Sequence, residues 1–81
     1  MNTSKLVLGT ICRTKPAGAR SLTLYNKFKK QHPFLLCPCS IPNVKVVFQD
    51  YVNKTGAFIS LYDNPKKLSV IDVSDLVPLH K

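Results

Sequence analysis

The sequence contains no glutamate, and its four acids, Asp50, Asp63, Asp72 and Asp75, all lie beyond residue 49. Dispersed aspartates provide no carboxylate pair for general acid/base work, and no Ser, His and Asp fall into a nucleophilic constellation. A Gly-rich phosphate loop is also missing. The three cysteines, Cys12, Cys37 and Cys39, include no Cys-x-x-Cys. Redox chemistry at a helix N-terminus needs that spacing, because a second thiol must resolve the mixed disulfide. Here Cys12 is followed by Arg13, Thr14 and Lys15, so the resolving position is empty. Structural zinc sites typically show paired Cys-x-x-Cys knuckles, so Cys12, Cys37, Cys39, His32 and His80 do not read as a metal set. The longest apolar runs, PFLLC and AFISLY, fall far short of the roughly 20 residues of a membrane-spanning helix. MNTSKLVLGTIC carries one lysine and a short apolar run, and it reads as a first strand rather than a signal or transit peptide.

What the chain does have is positive charge, unevenly spread. The net charge is +8 over 81 residues. Lys5, Arg13, Lys15, Arg20, Lys27, Lys29, Lys30 and Lys45 face no acid in the first 49 residues, whereas four lysines balance the four aspartates in the remainder. A one-sided basic field points to a polyanionic partner: RNA, an acidic protein surface or anionic lipid. The blander alternative is a solvated basic surface. The composition, 44% hydrophobic and 20% charged, is that of a globular domain, and a single domain over 1–81 is expected. A chain this small buries a modest fraction of its surface and gains from a partner or larger assembly.

KLVLGTIC (5–12) is apolar on both faces and predicts a central strand. In ARSLTLYNKFKKQ, Leu22, Tyr25 and Phe28 recur at i, i+3, and Leu24 and Phe28 pair at i, i+4, predicting a short amphipathic helix that His32 and Pro33 end. FLLC (34–37) is too short for a helix and predicts a second strand, parallel to the first through a right-handed crossover. NVKVVFQDY (43–51) and AFISLYD (57–63), joined by VNKTG, predict an antiparallel hairpin, with Val47 breaking the alternation. Residues 66–77 carry signals for both helix and strand. If the segment is a strand, DNPK is a turn and a closing helix is missing or rudimentary.

The resulting order, β-α-β-β-β-α, is that of a minimal thioredoxin-like α/β fold with a four-stranded mixed sheet and a short or irregular closing helix. Within it the sequence resembles a mitochondrial group shared by several mitoribosomal proteins and a small alpha-subcomplex accessory subunit of respiratory complex I. The features that match are Cys12 closing the first strand, Gly18-Ala19-Arg20 entering the helix, the helix end FKKQHP, Cys39-Ser40 after the second strand, and Pro42 ahead of residues alternating to Phe48. The resemblance covers roughly residues 5–77. It implies a structural cis-proline at Pro42, a matrix location, and no catalysis or cofactor. Its expected partners are ribosomal RNA and neighbouring ribosomal proteins in a large assembly, or alternatively complex I peripheral-arm subunits. A thiol-disulfide redox protein is the weakest reading.

With parallel neighbouring strands, Cys12 and the Cys37/Cys39 pair would reach one sheet edge, so Cys12 and Cys39 are a candidate disulfide. The alternative is three free thiols. Arg13 and Lys15 precede the helix and Arg20 lies in its first turn, where free N–H groups and the helix dipole favour an anion such as an RNA phosphate. Lys27, Lys29 and Lys30 would extend that patch along the helix.

Overall fold

A computed structural model describes residues 6–79. Lys5 and His80 therefore lie outside the described residues. Among the described residues the fold is a small α/β arrangement of one helix and five strands: β1 (Ile11–Thr14), α1 (Ala19–Phe28), β2 (Lys45–Tyr51), β3 (Gly56–Leu61), β4 (Leu68–Asp72) and β5 (Leu76–Pro78). Two 3-10 turns, Pro38–Ser40 and Val73–Asp75, sit before β2 and between β4 and β5. The sheet order is β4-β3-β2-β1-β5, and every pair of named strands is antiparallel.

The connections force this sheet to curl. Laid flat, five strands place their two edges about 19 Å apart, at about 4.8 Å per spacing. Yet β4 ends at Asp72 and β5 begins at Leu76. A 3-10 turn rises about 2 Å per residue, so it spans only about 8 Å. The edges must approach each other, and the sheet coils into an open barrel. Its interior holds Cys12, Ile41, Val46, Phe48, Ala57, Ile59, Ile71 and Leu76, all buried.

A second core lies outside the barrel, between α1 and the outer face of β3 and β4. It joins Leu24, Leu35 and Val70, flanked by Tyr25, Phe28, Val52, Phe58 and Leu68. A ten-residue helix does not persist alone in water, so α1 depends on this face. Its packed face is Ser21 and Leu24, buried, with Tyr25 and Phe28 half-buried beside them; the expected Leu24, Tyr25 and Phe28 lie on it, while Leu22 is outside that core cluster. β3 begins so close beneath it that a Cβ on Gly56 would lie 2.7 Å from Leu24 Cδ1 and 2.8 Å from Val52 Cγ2.

Several expectations are corrected. The four-stranded mixed sheet is instead five antiparallel strands, and β1 pairs with β2 and β5 rather than with a parallel neighbour from 34–37. FLLC forms no strand. Leu36 alone makes a parallel bridge, to Ser69 on the free edge of β4. Leu36 N–H donates to the Leu68 carbonyl at 2.8 Å, and Ser69 Oγ donates to the Leu36 carbonyl at 2.8 Å. Pro33 and Pro38 bracket the segment and supply no N–H, so the ladder cannot extend. The first strand is shifted: residues 8–9 form a turn with Gly9 at φ +92°, and pairing begins at Ile11. The ambiguous 66–77 is strand, 3-10 turn and strand, with no closing helix. No cis peptide bond occurs among the described residues, so the bond preceding Pro42 is trans. The hairpin is as expected, with a bulge between Phe48 and Asp50.

Gly56→Ala is expected to lower stability by about 1–3 kcal/mol, because Leu24 and Val52 must move to admit one methyl group. Urea unfolding followed by circular dichroism checks this; an unchanged midpoint would refute the close approach.

Candidate nucleic-acid interface

The helix N-terminus expected to receive an external anion already holds one of the protein's own. Gly18, the N-cap of α1, offers no side chain. Asp75 comes from the 3-10 turn instead. Its Oδ2 accepts from Gly18 N–H at 2.9 Å and from Ser21 Oγ at 2.6 Å. Ser21 is fully buried, and its Oγ also accepts from Asp72 N–H at 2.9 Å. Lys15 N–H donates to the Asp75 carbonyl at 2.8 Å. A phosphate would have to displace this carboxylate, so Arg13, Lys15 and Arg20 do not converge on a helix-end site. Arg20 instead borders an open depression with Thr23, Thr55 and Asp72.

The six expected cations therefore divide. Lys27, Lys29 and Lys30 are exposed around the far end of α1. Lys27 Nζ lies 5.8 Å from the Phe28 ring centre, and Lys29 Nζ lies 5.5 Å from that of Tyr25. His32 meets the Phe58 ring edge-on at 5.5 Å and Phe34 at 5.9 Å, and Phe34 is 66% exposed.

Arg13 belongs to a different surface, the outer face of β1, β2 and β5, which α1 does not cover. The register makes Arg13 the direct partner of Lys45 on β2 and of Val77 on β5. In this ladder Thr14 N–H donates to the Val44 carbonyl and Phe48 N–H to the Thr10 carbonyl. Alternate pairs are therefore hydrogen-bonded, and Arg13 and Lys45 fall in a non-hydrogen-bonded pair, whose Cα atoms stand only about 4.5 Å apart. The Lys45 carbonyl accepts from Tyr62 N–H at 3.1 Å, extending the β2–β3 register by one residue. Val77, Arg13, Lys45 and Tyr62 thus form one exposed file across four strands. Lys45 Nζ stands 4.9 Å from the Tyr62 ring centre, and Arg13 Nη1 is 3.4 Å from the Asn43 carbonyl.

The file is anchored from below. Thr14, next to Arg13 and buried, accepts from Val44 N–H at 2.8 Å and donates to the Ile41 carbonyl. This fixes the 41–44 loop, including Asn43 at φ 55°. Lys45 belongs to the basic half of the sequence but not to the expected anion-binding set, and Tyr62 belongs to neither. Lys45 was legible as the outward member of the NVKVVF alternation, but Tyr62 becomes a neighbour of Arg13 only through the register.

The cysteines do not form the candidate disulfide. All three are free: Cys12 is fully buried in the barrel core and Cys39 is exposed on the first 3-10 turn. Burial pushes the Cys12 thiol above its ordinary range. Cys37 is the N-cap of that 3-10 turn, and its side chain pushes the neighbouring Cys39 thiol upward as well. No group of three or more potential metal ligands occurs among the described residues.

Compared with family models, curated proteins and solved structures, the chain matches none of them.

Asp75→Ala leaves Gly18 N–H and the buried Ser21 hydroxyl without their acceptor and is expected to cost about 1–2 kcal/mol, with Asp75→Asn losing less. Chemical denaturation of the two variants checks the order. In the native protein Cys39 is expected to react with a maleimide while Cys12 stays protected until unfolding, because its thiolate is disfavoured and enclosed. Mass spectrometry of the labelled protein reads this directly, and rapid native labelling of Cys12 would contradict its core position.

Proposed function

We propose that this chain is a non-catalytic structural component of the mitochondrial ribosome, docking on ribosomal RNA and neighbouring proteins through its basic surface. The observation that carries the RNA part of the reading is the Arg13–Lys45 pair. Like charges directly opposite on an antiparallel ladder oppose folding, by a few tenths to about 1 kcal/mol. A phosphate seated between the two guanidinium and ammonium groups turns that repulsion into attraction on both sides. Lys15 and the Lys27, Lys29 and Lys30 cluster add cations that contact phosphates without reading sequence.

The mitochondrial setting and the ribosomal assembly are suggested by the sequence resemblance, not by the sheet, whose antiparallel order differs from a thioredoxin-like crossover. The alternative from the same resemblance is an accessory subunit of complex I, in which these cations would meet acidic side chains of a peripheral-arm neighbour.

Two measurements test the reading. Sedimentation of tagged protein from mitochondrial lysate is expected to find it with a ribosomal subunit and to release it in high salt. Comigration with the larger respiratory complex, resistant to salt, would overturn the ribosomal assignment. In vitro, RNA affinity is expected to fall linearly with salt on logarithmic axes, and Arg13→Ala and Lys45→Ala should each flatten the slope by about 0.7, the value for one phosphate of a single strand. A slope unchanged in both variants would remove these two residues from the interface.

A further inference from the structure

We propose that the Val77–Arg13–Lys45–Tyr62 file is a binding site for single-stranded RNA, with phosphate oxygens on Arg13 and Lys45 and one base stacked on Tyr62. This rests on the RNA-docking reading above and adds which form of RNA is bound and where. Three observations carry it.

The first is the file's chemistry. A surface meant only for a duplex backbone needs cations alone, since a duplex presents phosphates and sugars while its bases remain stacked inside. Here the two cations are flanked by an aromatic ring at one end and an apolar side chain at the other. Tyr62 is 49% exposed and Val77 41%, so both are open to a ligand lying along the file. A single strand offers phosphates and unstacked bases together, which is what a basic groove interleaved with aromatic rings accepts.

The second is the ring's setting. Lys45 Nζ stands over the Tyr62 ring at 4.9 Å, and the Tyr62 backbone is tied to Lys45 by its N–H. The backbone bond keeps Tyr62 in register opposite Lys45, so a base stacked on its ring keeps its own phosphate within reach of Lys45 and Arg13. Asp63, next in the turn, marks the end of the file.

The third is the neighbouring rung. Ile11 pairs with Val47, and both are only half-buried on the same outer face. They give a floor of apolar contact next to the charged file, suited to sugar and base edges.

The test uses the full chain and fluorescence anisotropy, with an oligouridine of about 12 nucleotides and an RNA duplex of equal length. Wild type is expected to prefer the single strand. Tyr62→Ala should weaken single-strand binding about fivefold or more while changing duplex binding by less than about twofold. Tyr62→Phe should restore it, and because Tyr62 is exposed the variant is expected to fold; its melting curve verifies this. Unchanged single-strand affinity in Tyr62→Ala, or tighter duplex binding by wild type, overturns this inference and leaves the general RNA reading standing. Binding to neither RNA overturns both. Equal affinity for polyglutamate, insensitive to Tyr62, would make the occupant an acidic protein and overturn the inference.

Discussion

The Asp75 carboxylate is the contact on which the rest of this small molecule turns. One oxygen takes the N–H at the start of α1 and the hydroxyl of Ser21, while Ser21 takes the N–H of Asp72 at the end of β4. The backbone of the same aspartate receives Lys15 N–H from the end of β1. Helix, fourth strand and first strand are thereby held around a single 3-10 turn, and that turn brings the two sheet edges together. Asp72 is engaged as well, accepting from Ser74 N–H at 3.1 Å and from the Ser74 hydroxyl. Two of the four acids in the chain are thus committed to architecture. The basic outer surface stays positive partly because these carboxylates are turned to internal use.

Much of the sheet was readable from sequence where one face is buried and one is open. NVKVVF alternates because Val46 and Phe48 enter the barrel while Lys45 does not, and Val47 breaks the pattern as a half-buried member of the outer rung. Elsewhere the pattern fails for identifiable reasons. β4 is buried on both faces, Val70 against the helix and Ile71 in the barrel, so its period was lost and helix and strand could not be separated. FLLC is apolar because Leu35 fills the second core and Leu36 packs against the first, and its contact with the sheet is the single Leu36 bridge rather than a strand. β1 escaped notice beyond Cys12 because its outward residue is an arginine and its inward Thr14 serves as a clamp rather than as an apolar filler.

The candidate site was half legible for a related reason. A bias of charge is a property of composition, and Arg13 could be named from it. Which cations stand together is a property of register. Lys45 lies 32 residues from Arg13 along the chain yet is its direct partner across the sheet. The anion site expected at the helix start was lost to Asp75, which lies 57 residues away from Gly18. Local helix chemistry invites an anion there, and only the tertiary fold decides whose carboxylate arrives.

The pairing of β5 with β1 also sets an order of events. Arg13 and Val77 close a loop over most of the chain, whereas β2 with β3 and β3 with β4 pair as sequence neighbours. Loop-closure entropy delays contacts of such separation. During synthesis the hairpin can form early, but one edge of β1 remains an open template until the last strand has been made. Newly made chains therefore carry an exposed edge for longest beside the arginine that the finished protein presents.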